Sequence, residues 1–294
     1  MILDYLNRTF NNREVALISY LLIFIVWVLT QKKFRLTTVS VIKAFTAWRI
    51  LVLIFALVLY IAIIVFGLFK IRLWDKYLIK DTVYWTFGVG LIILMNYDKA
   101  FKEEHYFKDL IKENFKVLLI LEFIVGLYVF GIITEFILMP FVILFSVLLG
   151  YTEVYKKHEE VHKFINGIFV ILGTVYIVYS GYHIYSDFTG FATAENLKTL
   201  LFPIIMFVLF LPFAYSFSLL VHYDSLFVRI DSFVKDSKLR RFAKWRVIMS
   251  VNFSMIRLKQ ITPGLLFNGC STKEDITNEI KCKLNPVANK RYRQ

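Results

Sequence analysis

Cysteine is nearly missing from this chain of 294 residues: there are two, Cys270 and Cys282. Two thiols make neither a disulfide framework nor a four-ligand zinc site, and they read as ordinary thiols in a reducing compartment. No internal repeat and no low-complexity tract is present, which argues against solenoid and propeller architectures. A phosphate-cradling loop, a dinucleotide-binding glycine pattern and a local Ser/His/Asp arrangement are all missing, so no motif of that kind implies an enzyme or a cofactor. No small-residue cleavage site follows the first apolar run, whereas Lys32, Lys33 and Arg35 do, so that run reads as a retained anchor.

What is abundant is apolar surface. Hydrophobic residues make up 58% of the chain and aromatics 18%, with thirty Phe, and the mean hydropathy is +0.63. Water does not tolerate that much exposed apolar surface, and lipid does. The composition therefore predicts an all-α polytopic membrane protein. Seven apolar runs, at 15–30, 50–69, 82–96, 117–133, 136–150, 165–185 and 199–221, lie near the ~20 residues that cross a bilayer. The basic residues set the orientation, because Lys and Arg collect on the cytoplasmic side. With the N-terminus outside, 28 of the 35 basic residues fall in inner segments. The expected plan is N-out and C-in, with a transmembrane domain at 1–224 and a basic helical cytosolic tail at 225–294.

Between the apolar runs, the segment QKKFRLTTVSVIKAFTAWR mixes basic residues with Phe34, Val39, Phe45 and Trp48, as suits a helix lying along an anionic leaflet. The tail reads as one helix from Ser225 to Gln260, broken at Pro263 and Gly264, with Leu239, Phe242, Met249, Phe253 and Ile256 on one face. A short helix follows from Ser271, with Glu274 in the position of a capping box. In Arg72–Asn96, charged and aromatic residues lead into an apolar run. Asp81, also a candidate for the polar path as part of an outer vestibule, and Thr82 are placed to start that helix, with Trp74 and Trp85 as interface anchors. Its Thr86-Phe87-Gly88-Val89-Gly90 is similar to a potassium-channel filter but lacks the tyrosine between the glycines, and suits tight helix packing better.

Polar groups inside the apolar runs are the candidates for function. Glu122 in LLILEFIVG is costly at membrane depth unless paired, protonated or wet. Asn166, Gly173, Tyr176, Ser180 and His183 share one helical face, as do Tyr215, Ser218 and His222. Such stripes either line a water path or bond across a helix pair. In the tail, Lys238, Arg240, Arg241, Lys244 and Trp245 could hold phosphates and stack on bases, or lie on anionic lipid. His158, Glu159 and His162 spell H-E-x-x-H, the spacing of a helical zinc protease site. Against that reading, Glu160 sits between the histidines, Lys157 and Lys163 flank them, and no third ligand follows by motif.

The segment LWDKYLIKDTVYWTFGVGL, with TEFILMPFVILF further on, resembles bacterial multi-pass membrane proteins of anti-phage defence loci, most closely the transmembrane effectors of the Hailong system. That resemblance implies a homo-oligomeric, tetrameric ion channel whose opening depolarises the membrane. It also implies control by an oligodeoxyadenylate made by a partner nucleotidyltransferase. The expected partners are thus the bilayer, further copies of the chain and a nucleotide ligand, with no cofactor. A secondary transporter and a membrane metalloprotease remain as alternatives.

Overall fold

The computed structural model describes residues 10–103, 105–114, 118–155, 159–262, 267 and 272–284. The regular structure among them is helical throughout. In chain order the helices are α1 (Asn12–Thr30), α2 (Lys32–Phe45), α3 (Trp48–Lys70), α4 (Ile79–Trp85), α5 (Leu91–Met95), α6 (Tyr97–Lys102), α7 (Tyr106–Asn114) and α8 (Leu118–Leu127). They continue with α9 (Ile132–Val154), α10 (Glu159–Ser186), α11 (Phe188–Phe191), α12 (Ala194–Phe233), α13 (Ser237–Val251), α14 (Met255–Ile261) and α15 (Lys273–Leu284). Two compact units divide the chain, Met1–Ala62 with Phe115–Leu201 and Ile63–Asn114 with Phe202–Gln294. The expected boundary at 224 falls inside α12.

Among the described residues six helices are long and apolar enough to cross a membrane: Asn12–Thr30, Ile50–Lys70, Lys76–Met95, Ile132–Val154, Glu159–Ser186 and Ala194–Phe233. Large apolar side chains such as Phe55, Ile133 and Val147 stand exposed on them, which only lipid makes tolerable. The protein is thus of the helical membrane class that its composition predicts. The fourth expected run, 117–133, takes a different form. It contains α8, a helix of ten residues and so about 15 Å long, followed by non-helical 128–131.

Local chemistry explains where the helices of the first unit start. Asn11 caps α1 by accepting the Glu14 N–H at 2.9 Å, and the Glu14 carboxylate accepts the Asn11 N–H at 2.8 Å. This reciprocal pair satisfies two of the donors that a helix start leaves orphaned. α1 packs on α9, and the Tyr20 hydroxyl donates to the Phe136 carbonyl at 2.8 Å.

In the second unit, the segment that runs into the apolar 82–96 begins its helix earlier than expected, with a 3₁₀ turn at Lys76–Leu78. Asp81 is therefore not the start of the helix but the third residue of α4. Thr82 serves as a link instead, since its hydroxyl accepts the Trp74 indole N–H at 3.0 Å and donates to the Leu78 carbonyl at 2.7 Å. Trp85 is a core residue rather than an interface anchor, buried edge-on against Phe210. Thr86–Gly90 forms one π-helical turn that lays the Trp85 ring over Gly90. A β-carbon on Gly90 would stand 3.2 Å from that ring. The two glycines are thus helical, in a backbone unlike an extended filter loop.

The stretch 225–260, which the apolar spacing predicts as one helix, is instead the end of α12 followed by α13 and α14. Asp236 caps α13 by accepting the Lys238 N–H at 3.0 Å, and Asn252 leaves the helix at φ 52°. Ser254 then caps α14. α13 runs back antiparallel to the end of α12, as the pairs Lys244 with Asp231 and Asn252 with Tyr223 show. Folding back changes which face is covered. Leu239, Ala243, Val247 and Val251 are buried, while Met249, Phe253 and Ile256 point outward. The core they build includes Leu226, Ile230, Leu258, Ile261, Ile276 and Ile280. α15 carries the expected capping box one residue late, between Thr272 and Asp275. Leu258 is fully buried there, so Leu258→Ala should lower the stability of the purified protein by about 2–5 kcal/mol, read as an earlier thermal transition. An unchanged transition would mean that the tail core is not cooperatively folded.

Candidate functional site

The apolar helices of the first unit meet at a buried carboxylate. Glu135 lies in the first turn of α9 and is fully buried. A carboxyl group cut off from water needs partners for its lone pairs. Its Oε1 accepts the Phe130 N–H at 3.1 Å, and the Tyr176 hydroxyl of α10 donates at 3.1 and 3.2 Å to its two oxygens. The guanidinium of Arg13, in the first turn of α1, stands 3.8 Å from Oε2 and 4.4 Å from the centre of the Tyr176 ring. One cation thus serves both the carboxylate and the aromatic face.

Arg13 and its neighbours hold the end of α8 and the non-helical stretch after it. Backbone outside a helix has no built-in partners, and in lipid it must find them in the protein. Asn12 donates to the Phe130 carbonyl at 2.9 Å and Arg13 to the Val125 carbonyl at 3.4 Å. Longer contacts of 3.5 Å reach the Gly126 carbonyl from Asn11 and the Tyr128 carbonyl from Ser180. The Tyr128 ring lies flat on His183, with centroids 5.4 Å apart, and Phe130 packs against Tyr176 and Tyr179. Beside α8 lies a cavity of about 350 Å³, lined by Phe123, Phe191, Thr193, Asn196, Leu197 and Leu200 among others. It suits hydrocarbon better than a charged ligand.

Among the residues proposed from sequence, Tyr176, Ser180 and His183 come together at this site, while Asn166 is exposed and does not join them. Glu122 lies on α8, and its side chain is outside the described residues. Sequence reasoning missed Glu135 and Arg13. Glu135 sits between two apolar runs, where an end-of-span carboxylate looks ordinary, and Arg13 passes as part of a charge-balanced leader. The one available signal was the acid four residues after Gly131, flanked by isoleucines, threonine and phenylalanine.

The second stripe belongs to the other unit and is spent on bonding. Ser218 donates to the Tyr97 carbonyl at 3.0 Å, and the His222 ring stacks on Phe101 with centroids 3.7 Å apart. Tyr215 donates to the Phe253 carbonyl at 2.7 Å and accepts the Met255 N–H at 3.1 Å. This favours helix bonding over a water path for all three residues. Asp81 is half-buried on α4 in this unit.

Two of the five tail candidates are structural. Lys244 pairs with Asp231 at 2.7 Å, and Arg240 donates to the Val234 and Lys235 carbonyls at 3.2 and 3.1 Å, closing the end of α12. Lys238, Arg241 and Trp245 face outward. Of the H-E-x-x-H sequence, His158 is outside the described residues. Glu159 is an exposed partner of Lys163 at 2.8 Å, and His162 contacts the Thr152 hydroxyl at 3.1 Å. Among the described residues no group of three His, Cys, Asp or Glu side chains could hold a metal ion.

The chain matches no protein-family model, no curated protein and no solved structure. The site must therefore be judged on its own geometry. Removing the carboxylate leaves Arg13, the Tyr176 hydroxyl and the Phe130 N–H without their acceptor, and such losses cost roughly 3–5 kcal/mol. Glu135→Ala should therefore destabilise the first unit more than Glu135→Gln, which keeps an acceptor for Phe130. Tyr176→Phe should cost about 1–3 kcal/mol. Thermal unfolding of the detergent-solubilised variants checks the order, and equal effects of Ala and Gln would contradict it.

Proposed function

We propose that the protein is an oligomeric ion channel of the bacterial inner membrane, crossing seven times with its N-terminus outside and its tail inside. Chain parity supports the seventh crossing. Tyr97, Phe101 and Glu103 contact Ser218, His222 and Lys259, so the segment after the third span shares a side with the tail. An even number of crossings must separate them. Three come from the candidate spans beginning at Ile132, Glu159 and Ala194, and the fourth falls to 115–131. Its described residues are the short helix α8 and an unwound end at 128–131.

A broken span with Arg13 and Glu135 packed against it is the observation that carries the reading. Unwound backbone and ionisable side chains are expensive in hydrocarbon, and membrane proteins keep them where ions or substrates pass. Broken helices also occur in secondary transporters, usually in matched pairs within repeated halves. The broken span favours a transporter as the second reading, while the missing sequence repeat counts against it. Control by an oligodeoxyadenylate, a tetrameric assembly and a role in anti-phage defence rest on the resemblance alone. With Arg240 and Lys244 engaged, a nucleotide at the tail would have to be held by Lys238, Arg241 and Trp245.

In planar bilayers the reconstituted protein should pass current that grows in proportion to voltage. Current that saturates and requires a second ion species would favour the transporter. A folded preparation carrying no current, with or without oligodeoxyadenylate, would remove the channel reading. Lys238→Gln with Arg241→Gln should weaken binding of that nucleotide and leave the thermal transition in place, whereas unchanged binding would remove the tail from the account.

A further inference from the structure

We infer that the turn joining α13 to α14 is a membrane-inserting tip that docks the tail on the lipid surface. This does not rest on ion conduction. α13 runs back along α12 until its turn reaches Tyr215, whose hydroxyl bonds the Phe253 carbonyl and the Met255 N–H. Tyr215 lies one turn on the apolar side of Ser218, and Ser218 bonds Tyr97, two residues past the end of the candidate span Lys76–Met95. The turn is therefore held at the level where two apolar helices leave the bilayer.

The side chains it presents there are unusually apolar. Phe253 is 79% exposed, Ile256 65% and Met249 52%, although the tail has a full core to place them in. Moving back along the same face of α13, Trp245 is 57% exposed, and Arg241 and Lys238 follow. Met249 and Arg241 are eight residues apart, about 12 Å along a helix. The face thus grades from aliphatic and aromatic at the tip, through an indole, to cationic side chains. A leaflet grades in the same way, from acyl chains through the interface to anionic headgroups and water. A second copy of the chain at the same depth would set Arg241 and Lys238 against their own like charges, whereas anionic headgroups neutralise them, so lipid is the occupant that the chemistry selects.

The test uses the full chain with Cys270→Ser and Cys282→Ser, carrying Phe253→Cys or Ile256→Cys labelled with an environment-sensitive fluorophore. The vesicles are of phosphatidylethanolamine and phosphatidylglycerol. Nitroxide-bearing lipids should quench both labels about as well as one on Val147→Cys, and aqueous iodide should quench them little. A label on Glu274→Cys, exposed on α15, should behave in the opposite way. The inference is overturned if the two tip labels respond like Glu274. It is also overturned if both quenchers fail and the tip cysteines cross-link between copies. Phe253 is engaged through its backbone carbonyl, so the substitution leaves that hydrogen bond in place, and Ile256→Cys provides an independent second reading.

Discussion

The protein depends on one constraint: where water is missing, each polar group must find its partner inside the chain. Glu135 shows the constraint at its sharpest. Fully buried, it draws a backbone N–H from the unwound stretch, a hydroxyl from α10 and a guanidinium from the start of α1. Three segments far apart in sequence are thereby fixed around one carboxylate. The non-helical 128–131 is held because Asn12 and Ser180 meet its carbonyls, while Arg13 meets the Val125 carbonyl at the end of α8. Remove those side chains and the backbone would have to be paid for in unsatisfied groups, several kcal/mol each.

The second unit answers the same constraint differently. Its polar side chains close the joints where apolar helices hand over to the tail. Ser218 ties α12 to Tyr97, Tyr215 and Tyr223 tie it to the α13–α14 turn, and Arg229 ties it to Thr262. Around these bonds the tail has an aliphatic core of its own. The charged residues that look like a ligand patch in sequence divide accordingly, with Arg240 and Lys244 closing the helix end and their neighbours turned outward.

The class and six of the seven expected span positions were legible in the sequence because hydropathy over ~20 residues is a strong signal. Tyr176, Ser180 and His183 could be placed on one face by spacing alone. Glu135 and Arg13 could not be found, because their importance arises from contacts across more than a hundred residues, and each lies at a span edge where charge is common. The tail helices were misjudged for a related reason. A run of apolar residues at helical spacing does not reveal that Asp236 and Ser254 start new helices, nor that folding back buries Val247 and leaves Phe253 outside. Position alone makes Trp85 an interface anchor, and the Gly90 contact that helps to bury it comes from the π-helical turn that follows it.

In the proposed topology 115–131 completes a crossing, with its unwound end held by the Glu135 cluster. The side of the membrane on which each end of that segment lies decides it. In a background lacking Cys270 and Cys282, single cysteines at Lys112 and Gly131, both exposed, can be labelled in sealed vesicles of known orientation with a membrane-impermeant maleimide. The account predicts labelling of the two from opposite sides, with Lys112→Cys on the side of the tail. Labelling of both from the same side would contradict it and return the chain to six crossings.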